Sequence, residues 1–86
     1  MKYIMFEEPS GIRWPLMFPE IVQHSDIARA INSETPGIKP VSAGFFSMLK
    51  TEGENVYLTH GKSVSMGLDA KAEDAEEIKK TFDFSC

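Results

Sequence analysis

The residues of this chain with the most chemical potential sit between positions 59 and 66. Gly61-Lys62-Ser63 has the composition of the tail of a phosphate-binding loop. Such a loop needs a glycine five residues before Gly61 and a helix straight after the serine, so that backbone N–H groups point at phosphate. The earlier position is Val56, and Val64-Ser65-Met66 continues as strand. The plainer reading is a turn glycine followed by an exposed lysine. A nucleophilic serine needs a base in reach and a third group to orient it. His60 is the only base near Ser63 and Ser65, and no Gly-x-Ser-x-Gly elbow surrounds any serine of the chain, Ser42 and Ser47 included. His24, Asp26 and His60 are the right types for a metal. A spacing of two at a helix start does not put His24 and Asp26 on one face, however. No catalytic residue, metal ligand or cofactor is therefore assigned. His60, Lys62, Ser63 and Ser65 remain as a possible grip on a small, nucleotide-like ligand.

Two other clusters point to binding rather than chemistry. Arg13-Trp14-Pro15 combines two residue types common at binding hot spots with a proline that marks a strand edge. Its alternative is Trp14 as core beside Phe18 and Tyr3. Glu73, Asp74, Glu76 and Glu77 form an acidic run that could dock on a basic protein. The plainer reading is a solvated helix face whose acids suit the N-terminal end of the dipole.

The elements that carry these residues follow from periodicity. Lys2–Phe6 is expected as a strand, Glu8-Pro9-Ser10-Gly11 as a turn, and Ile12–Phe18 as a second strand antiparallel to the first. Pro15 makes that second strand an edge or a bulge. Ser25 reads as an N-cap, with Ile27, Ala28, Ala30 and Ile31 as the apolar face of a short helix. Ile38–Leu49 is a third strand centred on Phe45-Phe46, whose side chains point to opposite faces. Either both faces of the sheet are covered or one Phe, taken as Phe46, meets a partner. Glu52-Gly53 is a hairpin turn into a strand from Asn55. Val56, Leu58, Val64, Met66 and Leu68 share even positions and read as one apolar face. Thr59–Lys62 is then either a bulge in a long strand or a tight hairpin, and length favours the hairpin. Asp69 is expected to cap a last helix over 70–82, with Ala72, Ala75, Ile78 and Phe82 inward. The order β-β-α-β-β-(β)-α gives an α+β fold: one antiparallel sheet of four to five strands, with two helices on one face.

A chain of 86 residues makes one domain, 1–86, with a modest core. The net charge of −4 argues against a nucleic-acid partner, which needs a concentrated basic surface. The only cysteine, Cys86, has no partner for an internal disulfide and is expected to be exposed at the last position. The opening Met1–Phe6 is too short for a signal peptide, and no apolar run approaches a membrane span, so a cytoplasmic protein without a membrane partner is expected.

Gly61-Lys62-Ser63-Val64-Ser65-Met66-Gly67-Leu68, with Ala72–Ile78 behind it, resembles the ends of small bacteriophage and prophage proteins of no assigned activity. Lys2-Tyr3-Ile4-Met5-Phe6-Glu7 and Pro40-Val41-Ser42-Ala43-Gly44-Phe45 are similar in style. The resemblance implies a bacterial host cytoplasm and a small accessory protein that binds a host component. With no reactive constellation complete, the expected function is a non-enzymatic interaction protein. It should be a homodimer, either edge to edge through the Ile12–Phe18 strand with Arg13 and Trp14, or face to face through the sheet face carrying Phe45 or Phe46. The face-to-face form is preferred because it needs no backbone pairing at Pro15, and a host protein is the other partner expected.

Overall fold

The computed structural model describes residues 1–84, and side chains through residue 81. The fold grows from its first strand. Tyr3, Ile4, Met5 and Phe6 of β1 (Lys2–Glu7) are all buried. Successive strand residues face opposite ways, so four in a row can be buried only when both sheet faces are covered. β1 pairs antiparallel with β2 (Arg13–Phe18) on one side and β3 (Lys39–Thr51) on the other. β4 (Glu54–His60) completes a sheet of order β2-β1-β3-β4. Pro15 indeed sits in an edge strand, opposite Met5.

The two helices lie on opposite faces, not on one. α1 (His24–Glu34) packs Ile27, Ala28 and Ile31 against Ile4, Phe6, Phe18 and Ala43. α2 (Asp74–Phe84) packs Ala75 and Ile78 against Tyr3, Met5, Phe46 and Tyr57. This arrangement resolves the Phe45-Phe46 pair. Phe46 faces α2 and is buried, and Phe45 faces the other way between two histidine rings. The register between β1 and β3 slips between Met5 and Phe6, where Val41 is the extra residue of a bulge.

β3 outruns β1. From Phe46 to Thr51 its only ladder partner is β4, so these residues form a hairpin arm closed at Glu52-Gly53. α2 covers one face of the arm through Tyr57, while α1 contacts β1 and β3. The even-numbered apolar face expected on β4 is therefore out of phase. Tyr57 enters the core, whereas Leu58 is 49 % exposed and Val64 84 %.

The chain after β4 departs most from expectation. β4 ends at His60, and Gly61 turns it with φ +75°, a value that side chains with a Cβ rarely adopt. Neither a continuous bulged strand nor a hairpin with His60-Gly61 at its tip forms. Lys62–Ser63 (β5) instead pairs with Leu68–Asp69 (β6) in a separate two-stranded ladder. The crossing back is tight. A Cβ on Gly44 would lie 2.7 Å from the Ala70 Cβ and 2.7 Å from the His60 carbonyl oxygen, so this crossing requires glycine.

Both helix starts also differ from expectation. The N-cap of α1 is Gln23, with no side-chain cap bond, so Ser25 lies inside the helix. α2 starts at Asp74 and not after Asp69, which lies on β6. Cys86 falls outside the described residues, as does any statement on the Phe82 side chain.

Candidate functional site

Three places concentrate polar or apolar groups in ways that could act. The first is buried. Asp74 stands at the first turn of α2, and its Oδ2 accepts hydrogen bonds from the Tyr3 hydroxyl at 2.5 Å and the Ser42 hydroxyl at 2.6 Å. It also accepts the Lys71 backbone N–H at 3.2 Å. Burial pushes the Tyr3 hydroxyl well above its ordinary pKa range, and the hydrogen bond and charge of Asp74 push it further the same way. Tyrosine, serine and aspartate in contact are reactive types. Here Tyr3, Ser42 and Asp74 are each 2 % exposed or less, so no substrate reaches them. Their work is to tie the start of α2 to the middle of the sheet, through a buried carboxylate whose Oδ2 takes three hydrogen bonds. Asp74 was expected on the solvated acidic face, and nothing in its local sequence separates it from Glu73 or Glu76.

The second place is a cleft of about 410 Å³ on the α1 side of the sheet. Gln23 and His24 at the start of α1 form one wall, and Lys62, Val64 and Ser65 of the β5–β6 ladder the other. Phe45 and Lys2 complete the lining. His24 is buried. Its Nε2 lies 3.0 Å from the Gly44 carbonyl oxygen. A carbonyl only accepts, so Nε2 carries the proton and donates. The ring also meets Phe18 and Phe45 edge-on, at centroid distances of 5.2 and 6.0 Å.

The third place is the uncovered face of the hairpin arm. Leu49 pairs with Val56, and Ser47 with Leu58, on the face away from α2. Leu49 is 51 % exposed and Leu58 about as much. Apolar side chains clustered on an edge strand are what a protein interface uses.

The residues singled out by sequence scatter among these places. Lys62 and Ser65 line the cleft. Ser63 does not, because it is buried in the turn of the small ladder, where its Oγ accepts the Met66 N–H at 3.3 Å. His60 stands behind the cleft, stacked on Phe45 at 5.9 Å. Among the interaction candidates, Arg13 is exposed and paired with Glu7 at 3.1 Å. Trp14 is half-buried against Phe6, at 4.9 Å between ring centroids, within the α1-side core. Phe46 is buried and so offers a partner nothing. His24 and Asp26 do not converge with a third ligand, and among the described residues no three His, Cys, Asp or Glu side chains cluster. No helix among them is long and apolar enough to cross a membrane. Lys2, Gln23 and the β4 edge escaped sequence reasoning, since only the fold brings Lys2 and Gln23 to Lys62. Compared with known proteins, the chain matches no family model, no curated protein and no solved structure.

Proposed function

We propose that this chain is a non-enzymatic interaction module that pairs with a second copy of itself through β4. The observation that carries this reading is the edge strand with an apolar face left open, Val56 and Leu58 on β4 beside Leu49 on β3. In an antiparallel ladder the backbone groups of alternate residues point to alternate sides. Thr51 and Glu54 flank the two-residue turn and bond each other across it. Val56, Leu58 and His60 then spend their backbone groups on β3, and Asn55 and Thr59 turn theirs to the outer edge.

A second copy suits this edge in both shape and charge. Antiparallel pairing about a two-fold axis places Asn55 opposite Thr59, whose outward groups then bond. The same register sets Val56 against Leu58 twice, and the acid Glu54 against the base His60 at each end. It would join two four-stranded sheets into one of eight. The opposite edge is poorer, because Pro15 on β2 cannot donate to a ladder. Trp14 and Phe46 already belong to the cores, which removes the case for a face-to-face dimer through Phe46. A bacteriophage setting, with the module in a host cytoplasm, belongs to the same proposal.

Asn55→Pro tests it. The substitution removes an outward N–H and leaves the β3–β4 ladder whole. Sedimentation should show a dimer for the native chain and a monomer for Asn55→Pro and for Leu58→Lys, each with unchanged circular dichroism. A dimer that survives both variants would overturn the assigned surface. A native monomer that instead captures a different protein would replace self-pairing with a heterologous partner.

A further inference from the structure

We propose that the cleft between α1 and the β5–β6 ladder binds a small phosphorylated aromatic molecule of the nucleoside monophosphate class. Lys2 and Lys62 would hold the phosphate, and Phe45 and Val64 would meet the ring. The inference is independent of dimerisation through β4.

Charge is the first argument. The chain carries −4 overall, yet among the described residues the cleft is lined by two lysines and no acid. Neither lysine has an ion pair among the described residues, although the chain has acids to spare. The Lys2 ammonium is already fixed, because Nζ donates to the Val22 carbonyl at 2.9 Å. An ammonium has three protons, so two remain for a ligand oxygen. A fixed cation loses little freedom on binding, which favours affinity. Lys62 approaches from the opposite wall, from a ladder anchored by the Gly61 turn and by the Ala70 N–H to the Gly61 carbonyl at 3.0 Å.

Shape and polarity are the second argument. A volume of about 410 Å³ falls within the range of small-molecule sites. The apolar part of the lining is Phe45 and Val64. Phe45 is held in place by His60 stacked on it and by His24 at its edge. Gly61 lies so close that a Cβ there would sit 3.1 Å from the Phe45 ring. Val64, at 84 % exposure, is a branched apolar side chain held in water at the cleft rim, where a ligand ring would cover it. Gln23 and Ser65 add neutral donors and acceptors on either side. An apolar floor with two cations at the rim selects an amphipathic anion over a bare one. A flat ring with an attached phosphate meets both demands.

Isothermal titration and thermal shift with AMP, UMP, adenosine and inorganic phosphate test the proposal. A nucleoside monophosphate should bind saturably and raise the melting temperature, because only the native state holds the site. Lys62 is exposed and belongs to neither core, so Lys62→Ala should keep the fold and weaken the nucleotide at least tenfold. Val64→Ser should weaken the nucleotide and leave inorganic phosphate unchanged. Three results would each overturn the proposal. One is no saturable binding of either nucleotide at millimolar concentration. Another is equal affinity for adenosine and AMP, which denies the lysines a role. The third is unchanged affinity in Lys62→Ala with native circular dichroism.

Discussion

Replacing Asp74 by alanine removes one carboxylate and strands three donors. The side chain is 2 % exposed, and the hydroxyls of Tyr3 and Ser42 that point at it are buried as deeply. A hydrogen bond to a charged group contributes about 1.5–3 kcal/mol net, and a buried donor left unmade costs a similar amount. The three bonds at Asp74 do not add fully, since a water can enter the space left by the carboxylate and serve one hydroxyl. The expected loss is about 3–5 kcal/mol. A domain of this size is stable by about 5–10 kcal/mol, so Asp74→Ala should lose about half its margin. In urea titration the midpoint should fall by about 2–3 M, with little change in slope. Asp74→Asn keeps the volume and one acceptor and should cost about 2 kcal/mol. The cycle with Tyr3→Phe is the sharper test. Tyr3→Phe alone should cost about 1–2 kcal/mol, but on the Asp74→Ala background it removes a stranded hydroxyl and should cost less by at least about 1 kcal/mol. Asp69, exposed on β6, is the control, and Asp69→Ala should stay within about 0.5 kcal/mol of the native chain. Equal losses at Asp69 and Asp74, or additive effects in the cycle, would refute the assignment of Asp74 as the tie between α2 and the sheet.

The raised Tyr3 hydroxyl also makes stability depend on alkaline pH. The unfolded tyrosine ionises near 10 and the folded one only well above it, so its contribution is intact below about pH 10 and is lost as pH rises through the folded value. Native stability should therefore fall more steeply above about pH 10 than that of Tyr3→Phe, in urea titrations at stepped pH. Ile78→Ala should cost about 2–4 kcal/mol by opening a cavity between α2 and the sheet, whereas Glu76→Ala should change the urea midpoint hardly at all. Gly44→Ala should be among the most damaging single-methyl changes, because its Cβ would press on the Ala70 Cβ and on a backbone carbonyl. A melting temperature within a degree or two of native would contradict a close crossing at Ala70.

The sequence made β1, β2, α1, β3 and the Glu52-Gly53 turn legible because each rests on local signals: alternation, turn chemistry and a proline at an edge. It misled where local signals had two solutions. Asp69 and Asp74 both precede a helical repeat, and only the burial of Tyr3 and Ser42 around Asp74 separates them. Val56, Leu58 and Val64 share parity, but parity carries no meaning across the Gly61 turn. On β4 the inward residue is the one that meets α2, which is Tyr57. Phe46 looked surplus because one covered face was assumed, and the second helix lies on the other side. The cleft was half legible. Lys62 and Ser65 are near neighbours in sequence, whereas Lys2, Gln23 and Phe45 reach them only through the sheet and the start of α1.

The most direct test of self-pairing through β4 is sedimentation velocity on the native chain and on Asn55→Pro, at about 100 µM and under reducing conditions that exclude Cys86 bridges. The pairing predicts a dimer for the first and a monomer for the second. A native chain that sediments as a monomer at that concentration, or an Asn55→Pro variant that remains dimeric, would contradict it.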